Sequence, residues 1–102
     1  MRLGISLPYE QPDGSAPSAA TIAARARLIE DIGFDVIAQG DHVGSPRRST
    51  PDVLTWLTAA AAGTRHIELA SAVIQAPLRH TAELAHRLLN VHAVSGGRFL
   101  AG

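Results

Sequence analysis

Two patterns of hydrophobic positions alternate along the chain: short apolar runs, and longer stretches with helical spacing. The apolar runs are bounded by proline, glycine or polar residues, which is typical of β-strands. They predict four strands, at residues 3–7, 34–38, 67–73 and 98–101. Each pair of successive strands is separated by one stretch with helical spacing, so the sequence predicts a regular alternation of strands and helices.

The first of the helical stretches carries clear end signals. Apolar side chains at Ile22, Ala26 and Ile29 recur at i, i+4 and i+7, which defines one face of a helix. Ser18 precedes them as a predicted N-cap, and Gly33 follows as a residue suited to the left-handed C-terminal position. We therefore expect a helix from Ser18 to Gly33.

Two further helices follow from the same signals. The Thr50-Pro51 pair predicts the start of the second helix, since proline is favoured at the first helical position, and Gly63 predicts its end. Thr81 is the predicted cap of the third helix, and residues 95–97 (SGG) stop it. The predicted buried face of this third helix consists of Leu84, Leu88 and Val91.

The spacing of the strands predicts the fold class. Strand centres fall about 32 residues apart, which leaves room for the helical crossover that parallel strands require. Eight such units make the roughly 250 residues of a (β/α)8 barrel. The 102 residues supply three units and one further strand. We predict a single α/β domain over residues 1–102: a partial TIM (β/α)8 barrel of about three and a half βα units, with a parallel sheet in the order 1-2-3-4 and three helices on one face.

Composition excludes several functional classes. Nine basic and nine acidic residues cancel, so there is no cationic excess for nucleic acid or an anionic membrane. All nine basic residues are arginine, and cysteine is absent, which excludes a Schiff-base lysine, a P-loop and thiolate chemistry. No apolar run approaches the roughly 20 residues of a membrane span, and the first run is too short for a signal peptide. These features predict a soluble, cytoplasmic protein.

Candidate chemistry follows from the rule that ligands bind at the carboxyl ends of parallel strands. Glu10 comes after the first predicted strand, Asp41 and His42 come after the second, and residues 71–75 surround the end of the third. A histidine at this edge can donate or accept a proton near neutral pH, and Glu10 could orient its imidazole. The alternative is that Asp41 and His42 only shape a turn and that Glu10 is a solvated loop residue.

Two common kinds of site have no sequence signal. No GxGxxG motif follows the first strand, and no GxxxxGK[ST] motif occurs, so the usual nucleotide-binding fingerprints are missing. The five histidines show no metal-ligand spacing with a carboxylate, and we predict no metal site.

Four segments stand in one order and at consistent distances along the chain. They are residues 2–8 (RLGISLP), 33–35 (GFD), 40–42 (GDH) and 95–99 (SGGRF). Together they resemble the N-terminal part of the bacterial luciferase-like monooxygenase superfamily, whose members are (β/α)8 barrels that use reduced FMN or the deazaflavin coenzyme F-420. The resemblance covers essentially all 102 residues and implies one of these two cofactors.

The resemblance also implies roles at matching positions. His42 matches the histidine that lies by the ring in the deazaflavin branch and is implicated in proton handling, and Glu10 lies where some members place a glutamate near the ring. Asp41 matches the neighbour that helps to hold this loop and the cofactor. The Ala72-Val73 pair matches a bulge that often has a non-prolyl cis peptide behind the deazaflavin. The predicted catalytic residues are therefore His42 and Glu10, and the predicted cofactor-binding residues are Asp41, Ser71, Ala72 and Val73.

Three functional hypotheses follow. The first is an oxidoreductase in which reduced flavin activates oxygen for insertion into a small organic substrate, or a deazaflavin exchanges hydride with one. The second is a non-catalytic half-barrel that is inert or acts only by pairing with another chain. The third, an unrelated (β/α)8 hydrolase or isomerase, is disfavoured because metal ligands are expected at its strand ends. Under either of the first two, we expect the unpaired outer strands to promote self-association or to leave the chain only marginally stable.

Overall fold

The structure is a computed structural model, and it describes residues 1–44 and 51–102. Its four strands are β1 (Gly4–Ile5), β2 (Val36–Gln39), β3 (Glu68–Ser71) and β4 (Phe99–Leu100). Its helices are α1 (Ala19–Ile32), α2 (Val53–Gly63) and α3 (Thr81–Val94), and a short 3-10 helix (Ala76–Leu78) lies between β3 and α3. Within the two described ranges, no helix is both long enough and apolar enough to cross a membrane.

The sheet has the predicted topology. All neighbouring strands are parallel, and their order is β1-β2-β3-β4. Gly4 pairs with Val36, Ile37 pairs with Leu69, and Leu69 pairs in turn with Phe99. Each strand ends within two residues of its predicted end. The predicted α/β class and strand order are therefore confirmed.

The ends of α1 are confirmed by its caps. The Ser18 hydroxyl accepts a 3.1 Å hydrogen bond from the backbone N–H of Thr21, which satisfies one of the free donors of the first turn. Gly33 has a φ of 106°, in the left-handed region that glycine enters without steric cost. Both ends of this helix follow from local chemistry, which is why the sequence predicted them.

The starts of α2 and α3 differ from the prediction. α2 begins at Val53, because the carboxylate of Asp52 accepts the backbone N–H of Thr55 at 2.9 Å and so acts as the N-cap. The predicted start at Thr50-Pro51 was therefore wrong, and Thr50 itself lies outside the described residues. Thr81 is the first residue of α3 rather than its cap, which is His80.

The three helices cover one face of the sheet. Ile37 and Leu69 are buried in the same hydrophobic cluster as Ile22 of α1, Leu57 of α2 and Val91 of α3. Burial of each such side chain contributes about 1.5–3 kcal/mol. The predicted face of α3 is confirmed, since Leu84 and Leu88 pack against this cluster beside Val91.

The opposite face of the sheet is more open. The alternate positions Val36, Ala38 and Ala70 are half-buried, and Leu100 of β4 is 48% exposed. Within the described residues, β1 and β4 each pair with one neighbouring strand. An edge strand with free backbone groups can pair with a strand of another chain. Self-association through these edges stays a prediction.

Candidate active site

The loops that follow β1, β2 and β3 meet around Gly40. A Cβ atom placed on Gly40 would lie 3.3 Å from both His42 Nε2 and the Tyr9 hydroxyl oxygen, and 3.6 Å from the Ala72 carbonyl oxygen. The Tyr9 hydroxyl donates a hydrogen bond to the Gly40 carbonyl. Glycine at this position therefore lets three segments from three βα units approach one another at the carboxyl end of the sheet.

His42 is exposed at this edge. Its imidazole meets the Tyr9 ring edge-on, with ring centroids 5.7 Å apart and an interplanar angle of 77°. The side chain is exposed, and its Nε2 atom and the Ala72 carbonyl oxygen both lie within 4 Å of the Cβ position at Gly40. Its part in catalysis stays a prediction.

Glu10 directly follows Tyr9 and is half-buried. Its Oε1 atom is buried and has no hydrogen-bond partner among the described residues. A buried carboxylate oxygen without a donor is costly, so this atom is suited to bind a donor from water or a ligand. The role of Glu10 in catalysis also stays a prediction.

The segment after β3 is held by its neighbours. The Ala72–Val73 peptide bond is cis, as the resemblance implied, and Val73 is 67% exposed. The Ala72 N–H donates to the carbonyl of Gln39 at 2.8 Å. Ser71 is buried, and its hydroxyl accepts the N–H of Gly102 at 3.1 Å. Contact of these three residues with a cofactor stays a prediction.

Asp41 anchors the loop after β2 to the loop after β3. Its buried carboxylate accepts bonds of 2.8 and 2.9 Å from Arg79 Nη2 and one of 3.0 Å from the backbone N–H of Gln75. The Gln75 side chain in turn accepts the N–H of Val43 at 3.0 Å. Asp41 therefore holds its loop, whereas its predicted contact with a cofactor stays a prediction.

The ion pairs continue from Asp41 into the helix layer. Arg79 Nη2 also lies 3.1 Å from Asp52 Oδ1, and Arg87 Nη2 lies 2.6 Å from Asp52 Oδ2. The hydrogen bond to Asp41 raises the pKa of Arg79 above its ordinary value. Burial by itself raises the pKa of Asp52, but the bonds from Thr55 and the two arginines outweigh it and lower the pKa of Asp52.

Sequence reasoning missed two residues that organise this edge, Gln39 and Arg79. Gln39 is fully buried, and its side chain accepts the N–H of Leu7 at 3.2 Å and donates to the Leu7 carbonyl at 2.8 Å. A polar residue at an inward position of β2 was a usable signal for it, because buried polar groups need partners. Arg79 gave no local signal, since Asp41 lies 38 residues away in sequence.

Other parts of the described chain offer less chemistry. A groove of about 450 Å³ lies between α2 and α3, but its lining is mostly apolar and it is in the helix layer rather than at the strand ends. The part of the chain that the structure describes contains no group of three or more His, Cys, Asp or Glu side chains able to hold a metal ion. The edge around Gly40 is therefore the candidate active site.

Comparison with known proteins identifies the family. The family model for luciferase-like monooxygenases matches residues 1–102. The chain belongs to this family. It is 34% identical over 107 residues to an F420-dependent glucose-6-phosphate dehydrogenase of Beutenbergia cavernae, covering all of this chain and 30% of that protein. It is 29% identical over 79 residues to a 4-hydroxyprotoasukamycin monooxygenase of Streptomyces nodosus subsp. asukaensis, covering 76% and 21%.

Solved structures of family members share the fold. The oxygenating constituent of 3,6-diketocamphane monooxygenase from Pseudomonas putida, in complex with FMN, matches with a TM-score of 0.84 and 25% identity, over all of this chain and 29% of that one. The coenzyme F420-dependent tetrahydromethanopterin reductase of Methanopyrus kandleri matches with a TM-score of 0.79 and 26% identity, over 99% and 26%. The chain thus spans less than a third of the length of these proteins, and the predicted partial (β/α)8 barrel is confirmed.

Proposed function

We propose that this chain forms the first part of an oxidoreductase site that uses reduced FMN or the deazaflavin F-420 on a small organic substrate. The observation that supports this proposal is the meeting of His42, Tyr9 and Ala72 around Gly40 at the carboxyl ends of the strands. Relatives in the same family are named as F420-dependent or are bound to FMN. Both cofactors carry a flat ring with an apolar body and a polar edge.

The residues at this edge fit such a ring. Val73 offers an exposed apolar surface beside the Ala72 carbonyl, and the exposed imidazole of His42 lies near that carbonyl. We assign Ala72, Val73 and Ser71 to supporting the ring, and Asp41 to holding the loop that carries His42. When bound, the cofactor supplies the redox chemistry, either hydride exchange or oxygen activation.

His42 is the proposed proton-handling group. An imidazole changes its charge near neutral pH, and an exposed one can exchange its proton with a substrate or with water. The edge-on Tyr9 ring limits the positions that this imidazole can take. Glu10, with its buried unpartnered oxygen one residue from Tyr9, is the second proposed proton acceptor.

A titration tests the cofactor assignment. The purified protein is titrated separately with oxidised and reduced FMN and with oxidised and reduced F-420, and binding is followed by cofactor fluorescence or absorbance. We expect saturable binding of one of the two cofactors. Absence of binding by both would support the non-catalytic half-barrel instead.

A substitution tests the catalytic assignment in a protein that contains the complete barrel. We expect His42→Ala to slow turnover about 10²–10⁴-fold, the usual effect of losing a general acid or base. His86→Ala is the matched control, because His86 is an exposed residue of α3. Equal turnover in the two variants would leave His42 as a residue that only shapes the turn.

A further inference from the structure

Arg79 joins the two ends of the connection between β2 and α2. Its Nη2 atom lies 2.8 and 2.9 Å from the oxygens of Asp41, the second residue after β2, and 3.1 Å from Oδ1 of Asp52, the N-cap of α2. The Arg79 side chain is 9% exposed and that of Asp41 is 2% exposed. We call these three residues the Arg79 bridge.

The bridge restrains the loop most strongly at Asp41. Its hydrogen bonds join ionised groups, which makes them stronger than bonds between neutral partners, and water has little access to the Arg79–Asp41 pair, whereas the Asp52 side chain is 29% exposed. Arginine stays charged at every pH at which proteins are folded, so the bridge does not open through loss of its cation.

Both sequence neighbours of His42 are fixed through this bridge. Asp41 is held by Arg79, and Val43 donates its N–H to the side chain of Gln75 at 3.0 Å. Gln75 is held in turn, because its own N–H donates to Asp41 at 3.0 Å. The backbone on either side of His42 is therefore tied to the Asp41 carboxylate.

We propose that Arg79 is a positioning residue for His42. Without the guanidinium, the buried Asp41 carboxylate loses its cation, and its bond to Gln75 then no longer fixes the segment that carries the imidazole. This positioning role rests on the proposed function of His42. The effect on the loop is a property of the protein without any cofactor, and it can be measured separately.

Arg87 provides a matched control. It is an arginine of the same ion-pair network, but it binds Asp52 at 2.6 Å and Glu83 at 3.6 Å, on the far side of the bridge from His42. Its replacement removes an equal charge from Asp52. An effect that comes only from weakened packing of α2 and α3 would therefore appear in both arginine variants.

The experiment compares Arg79→Met, Arg79→Lys and Arg87→Met with the unchanged protein. Hydrogen exchange is measured at the backbone amides of Val43 and Gln75 and inside α1, and the His42 ring is followed by NMR. We expect Arg79→Met to speed exchange at the two loop amides about tenfold relative to α1, a local opening, and to shift or broaden the His42 ring signals. Arg87→Met should leave the ring signals in place.

The lysine variant separates charge from reach. Lysine keeps the positive charge, but its side chain is one bond shorter and lacks the planar fork, so we expect effects between those of the unchanged protein and of Arg79→Met. If Arg79→Met does not fold, this variant decides. Unchanged loop exchange and an unchanged His42 ring in Arg79→Lys would then overturn the proposal.

Two other outcomes are informative. Uniformly faster exchange, including α1, with unchanged His42 ring signals in Arg79→Met would show a purely general stabilising role and overturn the proposal. A failed cofactor titration together with the expected loop effects would count against the proposed function alone, and Arg79 would remain the residue that positions His42.

Discussion

The buried carboxylate of Glu30 accepts a 2.8 Å hydrogen bond from the backbone N–H of Ile67. It also accepts the N–H groups of His66 and Arg65, at 2.8 and 3.0 Å. One side chain near the end of α1 thus satisfies three consecutive donors in the turn that leads into β3. This contact lies at the amino end of the sheet, opposite the candidate active site, and it fixes where β3 begins.

Glu30→Gln is expected to lower the free energy of unfolding by about 2–3 kcal/mol. The amide has one acceptor oxygen where the carboxylate has two, and bonds to a charged acceptor are worth about 1.5–3 kcal/mol each. Urea unfolding followed by circular dichroism measures the change. Asp31→Asn is the control, since Asp31 is the next residue of α1, is 62% exposed and lies 3.7 Å from Arg27, so we expect a change of about 0.5 kcal/mol or less. Equal losses of unfolding free energy in the two variants would contradict a stabilising role of the hydrogen bonds to the Glu30 carboxylate.

Stability is expected to fall in acid, and Glu30 should account for part of the fall. Burial alone raises the pKa of Glu30, but the N–H bonds from residues 65–67 outweigh it, so folding lowers the pKa below the ordinary value of 4.5. The unfolded chain then takes up a proton at a higher pH than the folded chain. This contribution is therefore complete above about pH 4.5 and is lost as the pH falls through the lower folded pKa.

Urea unfolding at pH 6, 4 and 3 measures this loss. Asp52, whose pKa is also lowered by its hydrogen bonds and ion pairs, should contribute to the same acid limb. In Glu30→Gln the curve should be flatter between pH 5 and 3, because the group that titrates is absent. An acid limb as steep as that of the unchanged protein would show that the stability of this turn does not depend on the Glu30 charge.

Gly63→Ala is expected to destabilise the protein by about 2 kcal/mol, although alanine favours helices by about 1 kcal/mol over glycine. A Cβ at Gly63 would lie only 2.7 Å from the Ala23 carbonyl carbon, so α1 and α2 must separate there. Ala62→Gly, at the exposed preceding position, should cost about 1 kcal/mol through propensity alone. Thermal or urea unfolding measures the stability of both variants. A Gly63→Ala variant more stable than the unchanged protein would show that α1 and α2 can shift apart without cost.

The sequence predicted those features that depend on local chemistry. Ser18 and Gly33 define the ends of α1 through contacts within one turn, and the repeat of about 32 residues fixed the parallel strand order. The start of α2 was wrong although the Asp52 cap bonds Thr55 only three residues away, and the two arginines that also hold Asp52 come from later in the chain. Such partners are not visible in a local window.

The residues of the candidate site also divide into those with a signal in the local sequence and those whose partners are distant in sequence. His42, Glu10 and the Ala72-Val73 pair were predicted because strand ends can be placed from periodicity and because the family resemblance marks those positions. Arg79 was missed because its partners lie 38 and 27 residues away in sequence. Gln39 was missed because the predicted second strand ended at residue 38, and its bonds to Leu7 appear only once β1 lies beside β2.

Gly40→Ala tests the geometry of the candidate active site directly. The added methyl would lie 3.3 Å from His42 Nε2 and from the Tyr9 hydroxyl, tighter than an ordinary contact, so these side chains must move by a few tenths of an ångström. The required movement is small, and we expect the free energy of unfolding to change by about 1 kcal/mol or less. The His42 ring signals in NMR should shift, and the affinity for the cofactor of the proposed function should fall about threefold or more. Val43→Ala, an exposed change in the same loop, should leave both nearly unchanged.

In the double variant with Tyr9→Phe, one of the two tight contacts is absent, so the combined cost in unfolding free energy should be smaller than the sum of the single costs. Strict additivity, with His42 signals that do not move, would mean that the three loops do not meet at Gly40 in solution.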